Sequence, residues 1–397
     1  MNEAARRIVS VLARLHSDER GVGALLLGLT AVAIIGFAAL AVDLGWMQFT
    51  RSRLQTSADV GALAGAGSLL SKGDDLAAVR SVAQSYARRN LIAEDKPAAA
   101  VGDGDVTFYH DGTPVSSGAD QVEVRVTLST ERKNALNLFF ARAIGTSNAD
   151  VSASARAGLV GTCSSECLKP FTIPAKFTWD DTCDPDPKLR NNGRLDTGSS
   201  CEMASVQVPG YTDADAGTQV VLKPKDPSDA VVPSFYNLID FPPVNKGNPV
   251  TGGDAVRENI AGCSGSNATV VEPNDEVQIE PGSTNGPVKQ GIADLVAQDP
   301  TAHWDSATNS IQGSAFSNPL DSPRVSLLGF YDPKRPPVSG RNTLFIAQVG
   351  AIFIEGIDGN GNVTARFVRA MADSPTDSGG DCLLKVSRML RDSSRGG

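Results

Sequence analysis

Residues 22–42, VGALLLGLTAVAIIGFAALAV, form one uninterrupted apolar run between Arg20 and Asp43, and the chain continues at 51–70 as RSRLQTSADVGALAGAGSLL. As a helix rising about 1.5 Å per residue, the run spans about 30 Å, the thickness of a bilayer's hydrocarbon core. Eleven of its residues are Leu, Ile, Val or Phe, which together favour insertion by about −3 to −7 kcal/mol. Asp43 closes the run, where the penalty for a carboxylate at mid-bilayer has largely vanished. The reading is a single transmembrane helix over residues 21–43.

Arg6, Arg7, Arg14 and Arg20 precede the run and favour a cytoplasmic location for residues 1–20, so the bulk of the chain is expected outside the cytoplasm. A cleaved signal peptide is the competing reading, because Ala39-Leu40-Ala41 resembles a cleavage site. The apolar run is longer than the usual 7–15 residues or so of a signal peptide, and the helical pattern continues past Asp43.

All six cysteines, Cys163, Cys167, Cys183, Cys201, Cys263 and Cys382, follow the apolar run. An even set confined to the exported part predicts disulfides in an oxidising compartment. Neighbouring positions suggest Cys163–Cys167, Cys183–Cys201 and Cys263–Cys382 among the possible pairings. Zinc is the weaker reading, since Cys163-x3-Cys167 has no second close pair and no nearby histidine. The formal charge of −9 over 397 residues and the lack of a basic cluster argue against nucleic acid as a partner.

Beyond the run, Leu54, Ala58, Ala62, Ala66 and Leu70 continue a helical stripe until Ser71-Lys72-Gly73, making one helix of about fifty residues. Asp74 is placed to cap a second helix with Leu76, Val79, Ala83 and Tyr86 on its apolar face. Val122, Val124, Val126 and Leu128 alternate with polar residues as in a half-buried strand, and Val106–His110 with Asp111-Gly112 reads as a strand and turn. Thr130 is expected to cap an amphipathic helix through Leu136, Phe139, Phe140 and Ile144 to Gly145. Alternation returns at Val151, Ala153, Ala155, Ala157 and Leu159. Residues 44–161 therefore read as a pilin-like α+β domain of helices on a sheet.

Residues 162–397 read as a β-rich, disulfide-containing domain. Strands are expected at Val206–Val208, Gln219–Leu222, Val277–Ile279 and Val325–Tyr331, and a helix at Pro287–Gln298. Thr343–Glu355 and Asn362–Met371 flank the turn sequence Asp358-Gly359-Asn360-Gly361.

Residues 18–66, DERGVGALLLGLTAVAIIGFAALAVDLGWMQFTRSRLQTSADVGALAGA, and residues 138–159, LFFARAIGTSNADVSASARAGL, resemble the TadE/TadG-like proteins of the tight-adherence (Flp) pilus system. The shared order is Glu-Arg-Gly, the apolar run, Val-Asp-x-Gly, a basic step ending in Leu-Gln, then Ala-Asp-x-x-Ala-Leu-Ala-Gly. The resemblance implies a role in assembling or anchoring a pilus at the bacterial inner (cytoplasmic) membrane, with pilus or envelope assembly proteins as partners. Two features depart from the pattern. Prepilin peptidase substrates carry Glu five residues after the cleaved Gly, where this chain has Leu26, and the Asp-x-Ser-x-Ser motif of a von Willebrand A domain is missing.

No nucleophile and base pair stands out, so no catalytic residue and no enzyme activity is expected. His303-Trp304-Asp305 is suggestive only as letters, and Gly262-Cys263-Ser264-Gly265-Ser266 breaks the Gly-x-Ser-x-Gly elbow at its last position. Asp180, Asp184 and Asp186 lie in an acidic run and form a candidate calcium set; otherwise no cofactor is expected. Asp358-x-Asn360-x-Asn362 opens like a calcium loop, but its twelfth position is Arg369, so a hairpin turn is the simpler reading. Gly61, Gly65 and the neighbouring alanines either admit another helix in an assembly or pack on the domain's own sheet. The expected function is a non-enzymatic, membrane-anchored pilus component, with a calcium-dependent adhesin or carbohydrate-binding module as the alternative.

Overall fold

A computed structural model describes residues 19–223, 237–280, 284–336, 343–376 and 382–390. In chain order the elements are α1 (Glu19–Lys72), α2 (Leu76–Arg89), β1 (Val106–His110), β2 (Thr113–Pro114), β3 (Gln121–Leu128), β4 (Val151–Thr162), β5 (Leu168–Pro174), α3 (Ser200–Ser205), β6 (Gln219–Lys223), β7 (Asn237–Asp240), α4 (Gly253–Ala261), β8 (Glu276–Ile279), α5 (Asn285–Val296), β9 (Val325–Tyr331), β10 (Thr343–Ile357), β11 (Val363–Val368) and β12 (Leu384–Leu390). The chain is α+β, with one long apolar N-terminal helix and a β-rich remainder.

The first body is an antiparallel sheet in the order β12-β4-β3-β1-β2 with α1 and α2 on one face. Strand alternation sets that face. Val122, Val124, Val126 and Leu128 lie opposite Ala157, Ala155, Ala153 and Val151, and all are buried beneath Leu54, Ala58, Ala62 and Ala66 of α1. Valine on one strand against alanine on the other leaves room for a helix whose contact side is itself alanine and glycine. The last strand of this sheet, β12, comes from the far end of the chain.

In the second body the order is β8-β7-β5-β9-β10-β11-β6. β8 also pairs with the first residues of β10, through Val277 and Leu344, so five strands close into a ring. Ile239, Phe241, Val277, Leu327, Leu344 and Ile346 belong to one buried cluster. α4 and α5 lay Val256, Ile260, Ile292 and Leu295 against a second, with Phe171, Phe330 and Ile352. Asp358 opens the β10–β11 hairpin, accepting from the backbone N–H groups of Asn360 and Asn362.

Several local expectations are corrected. The stretch from Thr130 to Gly145 is not an amphipathic helix: Lys133 adopts a left-handed φ of 55°, residues 136–137 and 148–149 pair as a two-residue ladder, and only Ala141–Ile144 coil, as a 3-10 turn. Asp75, not Asp74, caps α2 by accepting from the Ala78 N–H, while Asp74 accepts from Gly118. Tyr86 faces solvent and Ala87 takes its place in the core. Val206–Val208 forms only an isolated bridge, Thr178 to Gln207.

Candidate functional site: the apolar helix, its collar and the cysteines

α1 changes character along its length. Its first half is long and apolar enough to cross a membrane, and only 6% of its most apolar stretch is buried. Leu27, for example, is 74% exposed, whereas Leu54, Ala58, Ala62 and Ala66 are sealed in the core. One rod therefore presents an unpacked apolar half and a packed half.

Asp43 sits at the change. Its carboxylate is 3% exposed and accepts from the backbone N–H groups of Phe139 at 2.8 Å, Phe140 at 3.0 Å and Ala141 at 2.7 Å. Three donors converging on two oxygens satisfy a carboxylate that no lysine or arginine side chain bonds among the described residues, and they hold the backbone entering the 3-10 turn at Ala141–Ile144 against α1. Trp46 stacks on Phe49 at 5.7 Å and meets Phe139 at 5.8 Å. Residues 138–144 thus form a half-collar around α1 where its exposed run ends. Sequence reasoning missed this contact. An acid closing an apolar run, with no basic neighbour on its own turn, is the signal that could have revealed it.

Gly61 and Gly65 are both buried within the protein's own first body, against Ala83, Ala87, Val122 and Val124. The small-residue face is therefore occupied internally.

Three disulfides account for all six cysteines: Cys163–Cys382, Cys167–Cys263 and Cys183–Cys201, with Cα separations of 5.2, 5.1 and 6.0 Å. The expected pairs Cys163–Cys167 and Cys263–Cys382 are corrected. Cys163 follows β4 and Cys382 precedes β12, and these strands are antiparallel neighbours with Thr162 opposite Leu384. Cys167 enters β5 beside the end of α4, where Cys263 lies.

Asp180, Asp184 and Asp186 each serve a local turn, accepting from the N–H groups of Thr182, Asp186 and Lys188. Hydrogen bonds from Thr182 hold the Asp180 carboxyl below the usual range, and those from Ser199 and Asp186 do the same for Asp184. Among the described residues the one trio of close potential metal ligands is Cys167, Cys263 and Asp373, whose sulfurs are already joined to each other. Glu202, which the sequence did not single out, is fully buried near Asp181, Asp184 and Asp196. Burial, together with those charges, pushes its carboxyl up against the N–H of Asp196 that it accepts.

His303 Nδ1 lies 3.0 Å from the Thr301 carbonyl, and His110 Nδ1 lies 3.1 Å from Asp120. Asp305 accepts from Ala307 and Thr308, not from His303. A cleft of about 470 Å³ lies between Gly67 and Leu70 of α1 and the second body. It contains Lys169, whose ammonium donates to the Gly262 carbonyl and is pushed down to about 8 by burial.

Comparison with protein families gives two matches. Residues 21–68 match the TadE/G-like Flp pilus-assembly family, and residues 64–157 match the Tad-like Flp pilus-assembly family. No curated protein and no solved structure matches the chain. The two matches together cover α1, α2 and the sheet through β4, the body that carries Asp43 and its collar. Residues 21–157 are therefore similar to TadE/TadG-like Flp pilus-assembly proteins.

Proposed function

We propose that the chain is a single-pass component of a Flp-type pilus assembly system, held in the bacterial cytoplasmic membrane by residues 21–43, with both bodies outside the cytoplasm and a structural, non-enzymatic role. The observation that carries this reading is the two-part α1. Its exposed apolar half is as long as a bilayer is thick, and its buried half is the spine of a body with pilus-assembly sequence. The arginines before the run support the orientation, and three disulfides fit an oxidising compartment. The partners are then other envelope proteins of the pilus system.

Alkaline extraction of membranes, followed by thiol alkylation without reductant, tests the anchor and the compartment. The intact chain should stay in the pellet with all six cysteines protected. A soluble chain with free thiols refutes the topology. Cells lacking the protein should lose surface pili, and unchanged piliation refutes the assembly role.

A further inference from the structure

We propose that Phe139, Phe140 and Ile144 form a lipid-binding lip, by which the first body rests on the outer leaflet of the membrane that α1 crosses. The proposal rests on the spanning reading above. Counting from Val22 at about 1.5 Å per residue, Asp43 lies about 30 Å along α1, level with the outer edge of the hydrocarbon core. The hydrogen bonds from Phe139, Phe140 and Ala141 to the Asp43 carboxylate fix the loop backbone at that same height. Position in the bilayer therefore follows from a contact within the protein.

The side chains at this height are of the kind an interface holds. Phe139 is 59% exposed, Phe140 50% and Ile144 82%, although Leu138 beside them is buried. Such a cluster of large apolar groups in water marks an interaction surface. Trp46, one turn above Asp43, packs on Phe139 and Phe49 and gives the aromatic belt typical of the headgroup boundary. Arg142, on the same 3-10 turn and exposed, supplies a cation at the level of lipid phosphates. Lipid is the occupant these observations favour, because the patch is continuous with the exposed apolar surface of α1 and shares its depth.

The test uses the full chain in nanodiscs of phosphatidylethanolamine and phosphatidylglycerol. With all native cysteines in disulfides, Ile144→Cys, Ile34→Cys and Ser116→Cys each offer one thiol for a nitroxide label. Power saturation then compares collision with oxygen, which concentrates in lipid, and with a water-soluble nickel chelate. The label at 144 should be oxygen-accessible and nickel-protected, at a depth between those at 34 and 116, and a label at Phe139→Cys should agree. A label at 144 as nickel-accessible as that at 116, with 34 still in lipid, overturns the lip and leaves the span standing. Protection from both reagents at 144 means a protein covers the patch, which also overturns the lip. Nickel access at 34 removes the span and the lip together.

Discussion

Replacing Gly61 or Gly65 by alanine should destabilise the first body relative to the same change at Gly67, although all three lie inside one helix. A Cβ at Gly61 would sit 2.8 Å from the Ala87 Cβ and 3.0 Å from the Ala83 carbonyl oxygen. At Gly65 it would sit 2.9 Å from Val122 Cγ1 and 3.0 Å from the Ala83 Cβ, while at Gly67 nothing lies within 4 Å. Each substitution gains the same helix propensity, about 0.5–1 kcal/mol, so that gain cancels in the comparison. What remains is the overpacking of a core with no slack, about 1–3 kcal/mol. At about 2–4 °C per kcal/mol, the midpoints of Gly61→Ala and Gly67→Ala should differ by about 2–12 °C. Gly67→Ala itself should lie at or above the parent. Thermal unfolding of the full chain in detergent, followed by circular dichroism, reads the difference. If the three variants move together, α1 does not approach α2 and β3 this closely, and the glycine face is free for another helix.

Two further outcomes follow from charge and covalent linkage. Asp240 is 1% exposed, and its carboxyl is pushed up to about 8, first by burial and then by the hydrogen bond and charge of Glu280. The native state keeps a proton that the unfolded chain loses near its ordinary value of about 4, so stability should fall as pH rises from about 4 to about 8, by up to about 1.4 kcal/mol per pH unit. Asp240→Asn should flatten that slope and raise the midpoint at pH 8; an unchanged slope in a pH series of melts refutes the assignment. The Cys163–Cys382 bond closes 219 residues of sequence, and its loss through paired serine substitutions should cost about 2–5 kcal/mol. β12 should then fray from the edge of its sheet, seen as faster protease cleavage after residue 382. Cleavage at the parent's rate would show that the strand is held without the bond.

The parts of the fold legible in sequence are those whose signal is local. α1 runs from Glu19 to Lys72 because one apolar run passes directly into one small-residue stripe, and the alternation of Val122, Val124, Val126 and Leu128 needs only its own strand to be seen. β5 was missed because all seven of its residues are buried, which erases alternation, and because Pro170 and Pro174 read as breaks. Pro170 is tolerated where the pairing with β9 skips, between Leu327 and Gly329. Phe139, Phe140 and Ile144 mimic a helical face, but the groups that claim the backbone there belong to Asp43, nearly a hundred residues upstream. Local spacing found Cys183–Cys201, 18 residues apart, but the other two expected disulfide pairs failed for the same reason. Spacing along the chain cannot show that β12 returns to lie beside β4.

That return determines how a pull on α1 would travel. α1 is buried against β3 and β4, so tension along it enters the first sheet through close backbone packing, without a flexible linker. The chain leaves this sheet at the end of β4 and re-enters it at the start of β12, and Cys163–Cys382 clamps those two points together. Beside the clamp, the Ser165 hydroxyl donates to the Asp373 carbonyl and accepts from the Asp373 N–H, and Glu166 N–H also donates to that carbonyl. The second body thus hangs on two adjacent crossings joined by a covalent bond, an arrangement that shares load between them and resists rotation about either one. On the proposed function, in which load enters through α1, cutting this single bond should loosen the second body while leaving α1 and the core around Ala58 and Val124 intact.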